Sequence, residues 1–315
     1  MTVAWWLRGV TLCVVGLAAL WAGVCLARGR SLLAVGGALG IAFFHALVIG
    51  LELLLMDRAN RHEAVPRATL AQRMRAWLAE TWVDVVVFAW RQPFRSRRHA
   101  DLCAPSTQRG VVLVHGFFCN RGLWGPLLGR LTERKQPFVA LDLPGPFGAI
   151  ESGVPSIEAA VRRLEAATGL APVVLAHSMG GLAVRAWLDR CAGDARVHRV
   201  ITVGTPHRGT WLARFAPGRN TRQMRLDGPW LRALAAREPA ERAALFTCFY
   251  SHCDNVVFPA TAATLVGADN RHLAGSAHVQ MLERPEVLAE LLHWLASEGS
   301  APQPAVSMKR QLNGR

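Results

Sequence analysis

Lysine is almost missing from this chain. Lys135 and Lys309 are the only two, so a formal charge of +14 over 315 residues is carried almost wholly by arginine. Tyrosine occurs once, at Tyr250, and the other aromatics sit within apolar runs. No tract alternates basic and aromatic residues in the way that stacks bases, so nucleic acid is not an expected partner and anionic lipid is the better match for the charge. The seven cysteines (Cys13, Cys25, Cys103, Cys119, Cys191, Cys248 and Cys253) include no CxxC pair. That excludes a cysteine zinc site or a disulfide framework, and scattered thiols fit a reducing compartment. Charged residues make up only 18% of the chain against 51% hydrophobic, which excludes disorder and leaves packed or lipid-embedded structure.

Long apolar runs are present, and both lie at the amino end. One extends from Val10 to Ala27 and a second from Leu32 to Met56, separated by Arg28, Gly29 and Arg30. Each is about 18 residues or more, near the length that crosses a hydrocarbon core as helix, so a two-span hairpin is expected. No small-residue cleavage site follows the first run, which argues against a signal peptide, and Ala22, Gly23 and Val24 make a poor lipobox before Cys25. Two buried core helices of a soluble domain are the competing reading. His45 and Glu52 fall inside the second run. They are read as helix-interface packing and as an end-of-span residue at headgroup level. Arg58, Arg61, Arg67, Arg73 and Arg75 outnumber Arg28 and Arg30, which places the carboxy-terminal part in the cytoplasm by the positive-inside rule. Between Ala68 and Trp82, Leu70, Met74, Trp77 and Leu78 recur at helical spacing, fitting either a helix on an anionic membrane surface or one covering the next domain.

From about Arg109 onward short β-branched runs alternate with helical stretches. Strands are expected at Val111–Val114, Phe138–Leu141, Val173–Ala176, Val197–Val203 and Leu245–Tyr250, with a later one ending at Val266. Helices are expected at Leu123–Arg134, Ile157–Thr168, Gly181–Arg190 and Glu286–Ala296. This alternation implies a mostly parallel, doubly wound sheet covered on both faces. The third strand runs into Ala176, His177, Ser178, Met179, Gly180 and Gly181 and then a helix. This is a nucleophile-elbow context with alanine in place of the first glycine of G-x-S-x-G. Ser178 would stand at the amino end of that helix, where free N–H groups favour developing negative charge.

An oxyanion needs a second donor, and the loop His115, Gly116, Phe117 after the first strand is the place for it. The backbone N–H groups of Phe117 and Met179 are the candidates, with His115 read as a brace for the loop. A serine hydroxyl needs a histidine to take its proton and a carboxylate to hold that histidine in the correct tautomer. Asp254, in the loop after Leu245–Tyr250, is the candidate acid, with Asp269 the runner-up. His278, in a small-residue loop before the last helix, is the candidate base. His272 lacks that setting and His293 falls within the helix.

With these residues in hand the chain resembles bacterial lipases and esterases of the α/β-hydrolase superfamily. The resemblance rests on VLVHGF at Val112–Phe117, AHSMGG at Ala176–Gly181, GTPHRGT at Gly204–Thr210, SHCDNVVFP at Ser251–Pro259 and AHVQMLERPEV at Ala277–Val287. It implies an α/β-hydrolase fold with Gly204–Thr210 at the end of a central strand beside the active site. It also implies a cap segment over about 205–242, in which Trp211, Leu212, Phe215, Met224, Trp230 and Leu231 form either a mobile apolar lid or an ordinary packed insertion. The expected layout is an anchor over 1–60, a basic amphipathic juxtamembrane linker over 61–108, a catalytic domain over 109–298 and a polar, disordered tail over 299–315. The expected activity is cofactor- and metal-free hydrolysis of a carboxylic ester of an apolar acyl group by an inner-membrane, multi-pass enzyme. A thioesterase or phospholipase on lipid-borne acyl groups, and a catalytically silent membrane tether, are the alternatives.

Overall fold

A computed structural model describes residues 2–297 of the chain; the expected polar tail over 299–315 lies outside them. Three apolar helices come first: α1 (Val3–Ala27), α2 (Ser31–Ala42) and α3 (Phe44–Ala59). Helix α4 (Leu70–Asp84) follows, started by a capping box in which Thr69 and Gln72 satisfy each other's backbone N–H groups. A π-helical stretch (Val85–Arg91) and the short α5 (Gln92–Phe94) complete this amino-terminal layer.

The remainder is a six-stranded sheet whose strands are all parallel: β1 (Val111–Val114), β2 (Phe138–Ala140), β3 (Val173–His177), β4 (Arg199–Val203), β5 (Phe246–Tyr250) and β6 (Asp269–His272), in the order β2-β1-β3-β4-β5-β6. Between them run α6 (Gly125–Glu133), α7 (Val154–Thr168), α8 (Met179–Cys191), α9 (Arg219–Gln223) and α10 (Pro229–Ala235), and α11 (Pro285–Ala296) closes the domain. Alternate strand residues enter two separate cores. Val112, Val114, Val174, Ala176 and Val200 pack under α7 and α8, while Val111, Leu113, Val173, Leu175 and Ile201 pack under α6 and α11. A strand buried on both faces needs apolar side chains at every position, which is why these strands read as continuous β-branched runs.

One sequence expectation is met only in part and one is corrected. Among the described residues Val3–Ala27 alone is by itself long and apolar enough to cross a membrane; the second run is broken at Phe43 into α2 and α3, which reach that length and hydropathy only together, as a pair bent by 53°. The break follows from competing packing. Trp21 of α1 donates its indole N–H to Leu33 O of α2, whereas α3 lays Ile49, Leu53 and Met56 against Ala76, Cys253, Phe258 and Ala277. One straight helix could not serve both, so tertiary contacts override a uniformly apolar pattern. Second, no strand ends at Val266, which is almost fully exposed; the last strand is Asp269–His272.

Candidate active site

Parallel strands all end on the same side, and the residues following β1, β3, β4 and β5 meet there. The β3–α8 turn holds Ser178 at φ 54° and ψ −130°, a left-handed conformation that costs an L-residue energy. The surroundings fix it: Ser178 N–H donates to Val203 O at 2.9 Å, and Thr205 Oγ1 donates to Ser178 O at 2.9 Å. Small residues are required by close approach. A Cβ on Gly180 would lie 2.5 Å from Val114 O and 2.6 Å from His115 O, and one on Gly116 would lie 2.7 Å from Ser178 Cβ. The β1 loop and the turn are therefore in contact, with Phe117 next along the loop. Met179 opens α8, so its N–H belongs to the first turn, whose donors have no intrahelical acceptor. His115 is tied at both ring nitrogens, Nδ1 to Gly116 O at 2.9 Å and Nε2 to the N–H of Leu143 at 2.9 Å, which makes it a brace for this loop.

Asp254 and His278 are brought together. His278 Nδ1 lies 3.0 Å from Asp254 Oδ2, and both residues are buried. The other carboxylate oxygen accepts from the N–H groups of Val256 at 2.9 Å and Val257 at 2.8 Å, so the acid cannot swing away from the ring. With Nδ1–H donated to the carboxylate, Nε2 is the basic nitrogen. Burial disfavours the imidazolium, but the Asp254 carboxylate, aided by Glu80, outweighs it and raises the His278 pKa above the ordinary histidine value. The ring of His278 lies 4.6 Å, centroid to centroid, from that of His177, the residue before Ser178, and a Cβ on Gly204 would come within 3.0 Å of it. Among the described residues Ser178 Oγ makes no hydrogen bond to the imidazole.

Asp269, the runner-up acid, is in β6 and pairs with Arg271 at 2.7 Å, away from His278. His272 bonds His252 at 2.7 Å, and His293 packs edge-on against Trp294. The segment 205–242, for which a cap is expected, contains the turn Trp211–Arg214, α9 and α10. Asn220 ties it to Pro146 O at 2.8 Å, and Gln223 and Trp230 bond Glu151 at 2.8 and 2.7 Å. Phe117, Phe118 and Phe147 form an aromatic cluster with centroids about 6 Å apart.

Sequence reasoning missed three neighbours of this site. Thr205 braces the Ser178 carbonyl, Asn255 accepts the His278 N–H at 3.2 Å, and Glu80 of α4 accepts from Val279 and Gln280. Glu80 left one signal: it lies in helical register with Ala76 and Val83, an acid on an otherwise buried face. Glu52 is not at a span end; it accepts from Asn255 Nδ2 at 2.7 Å. His45 does pack at a helix interface, its Nε2 3.2 Å from Thr81 O of α4.

No curated protein matches the chain. A family described as alpha/beta hydrolase fold matches residues 110–238. Among solved structures, the chain is similar to a mature-form lipase from Bacillus licheniformis with 15% identity, a TM-score of 0.53 and coverage of 61% of this chain and 94% of the other. It is similar also to lipase B from Aspergillus fumigatus with 22% identity, a TM-score of 0.53 and coverage of 62% and 54%. With its parallel sheet and its strained strand–serine–helix turn, the chain from about residue 110 onward is an α/β-hydrolase fold.

Proposed function

We propose that this protein is a membrane-anchored serine hydrolase that cleaves carboxylic esters of apolar acyl groups. The reading is carried by one observation: the buried Asp254–His278 pair, 3.0 Å apart, stands at the strand ends where Ser178 occupies a strained elbow. Ser178 Oγ attacks the ester carbonyl carbon while His278 Nε2 takes its proton, and Asp254 stabilises the imidazolium that forms. Negative charge develops on the carbonyl oxygen, where the N–H groups of Phe117 and Met179 act as donors. One such donor is worth about 10²–10³ in rate. The alkoxide leaves with the proton held by His278, giving an acyl-Ser178 ester. Water, deprotonated by the same nitrogen, then releases the acid and restores the hydroxyl. The steps use neither metal nor cofactor, and activity should survive EDTA.

An apolar acyl group is favoured by the aromatic cluster of Phe117, Phe118 and Phe147 beside the elbow and by Trp211 and Phe215 of the cap, the latter largely exposed. The lipases among the structurally similar proteins point the same way. Helix α1 supplies the membrane attachment, and the arginine excess after α3 puts the catalytic domain on the cytoplasmic side. Nitrophenyl esters of increasing chain length, assayed with the full-length protein in detergent, test this proposal. Turnover that rises from acetyl to medium-chain esters and disappears in Ser178→Ala is expected. Equal turnover in Ser178→Ala would refute it.

A further inference from the structure

We propose that Glu80 and Glu52, both carried by helices that precede the hydrolase domain, are positioning residues for His278, a role that rests on the hydrolase reading above. Glu80 is 1% exposed and spans two consecutive backbone donors: Oε1 accepts from Val279 N–H at 2.7 Å and Oε2 from Gln280 N–H at 2.9 Å. These are the two residues directly after His278, at the head of the turn Gln280–Glu283, where N–H groups otherwise lack acceptors. Glu52 acts one step removed. Its Oε2 accepts from Asn255 Nδ2 at 2.7 Å, and Asn255 Oδ1 accepts from His278 N–H at 3.2 Å. The N–H groups of Val279 and Gln280 are thus tied directly to the carboxylate of α4, and that of His278 is linked to the carboxylate of α3 through the Asn255 side chain, which also holds the residue adjoining Asp254.

The chemistry of the residue argues against simple packing. A buried carboxyl carries a desolvation penalty that an apolar side chain of similar volume on this face, between Ala76 and Val83, would avoid. Two short bonds to one loop offset that penalty, and the loop they hold carries the base. Asp254 fixes the orientation of the ring, while Glu80 and Glu52 fix where its backbone stands. The groups that face the imidazole are Asp254 after β5, Glu80 and Asp84 of α4, Glu52 of α3 and the neutral His177 of β3. The helices bearing these acids turn apolar side chains outward, Leu47, Leu51 and Leu54 on α3 and Leu70, Met74, Leu78 and Trp82 on α4. The membrane-proximal layer is thereby a component of the active site.

The test uses full-length protein in detergent, with Glu80→Gln, Glu52→Leu and, as a control away from the site, Glu286→Gln. Glu80→Gln places an amide donor against one of the two N–H groups and removes a negative charge. Hydrogen exchange of the 277–283 peptide should quicken, and kcat on a nitrophenyl ester should fall about tenfold or more with KM changed less than about twofold. The acid limb of the pH profile should move to lower pH, because a charge that favours the imidazolium is gone. Should Glu80→Gln fail to fold, Glu52→Leu carries the same exchange and kcat readouts, with faster exchange at the His278 amide. Unchanged exchange and kcat would overturn the proposal, as would a loss of rate with a lowered melting temperature but an unmoved pH limb. A wild-type chain that hydrolyses no ester would overturn the catalytic role altogether. The exchange data would then distinguish that failure from absence of the clamp.

Discussion

In the proposed mechanism Ser178, Asp254 and His278 have separable energetic roles, and substitutions should rank accordingly. His278→Ala removes the base and should lower kcat by several orders of magnitude. Asp254→Asn should lower it by about 10⁴ or less, through loss of the tautomer that leaves Nε2 basic. Asp269→Asn should leave kcat near that of wild type, since Asp269 pairs with Arg271 on the exposed edge strand. An active Asp254→Asn beside a dead Asp269→Asn would reverse the assignment. Because the raised His278 pKa must be passed before Nε2 is free, kcat should rise with pH through a value above that of ordinary histidine. The order serine, acid, histidine was legible because chemistry restricts residue type and the fold restricts order. Glu80 was not, because its two bonds close across 199 and 200 residues and no local pattern encodes such a meeting.

At the scale of elements, strand identity was legible because burial on both faces favours near-continuous apolar runs, as in Val111–Val114 and in Val173 to Ala176. The sixth strand was not: Asp269–His272 is an edge strand with a mostly exposed, polar face and so carries no hydrophobic signature. Helix α4 shows another limit of periodicity. Its apolar positions Leu70, Met74 and Leu78 face outward, and the inward face carries Ala76, Glu80 and Val83. That inward face has a measurable consequence. Burial, then the neighbouring Glu80 and Glu52 charges, push the Asp84 carboxyl up to about 8, and one of its oxygens is buried without a hydrogen-bond partner among the described residues. Burial likewise raises Glu80 to about 7 against the pull of its two N–H bonds, so the two neighbouring acids do not both carry full charge near neutral pH. An unfolded aspartate loses its proton near pH 3.9, so over about pH 4 to 8 the folded Asp84 holds a proton that the unfolded one has lost, and its own contribution to stability falls as pH rises. Asp84→Asn should therefore unfold at a higher temperature than wild type at pH 8 and show a flatter pH dependence by calorimetry. An Asp84→Asn variant whose melting temperature varies with pH between about 6.5 and 8 as steeply as that of wild type would contradict the account.

For the molecule as a whole, an apolar helix, a helical layer and a hydrolase domain form one connected arrangement: α1 packs on α2, α3 packs on the loops around Phe258 and Ala277, and α4 reaches the His278 loop. The hydropathy of the second run suggested a second span, and its two bent halves pass that test only as a pair, with Ile49, Leu53 and Met56 of α3 packed on the catalytic domain, a contact that composition cannot reveal because lipid and protein core are equally apolar. The arginine excess predicts the side on which this domain lies. A carboxy-terminal fusion to a reporter active only outside the cytoplasm should be silent, and a signal from it would place the domain on the other side.

The central claim is that Ser178 is the nucleophile activated by His278. Peptide mass mapping after treatment with a fluorophosphonate should locate a single phosphonyl adduct on Ser178, with its rate of formation reduced by orders of magnitude in His278→Ala. An adduct on another residue, or none in folded wild-type protein, would contradict it.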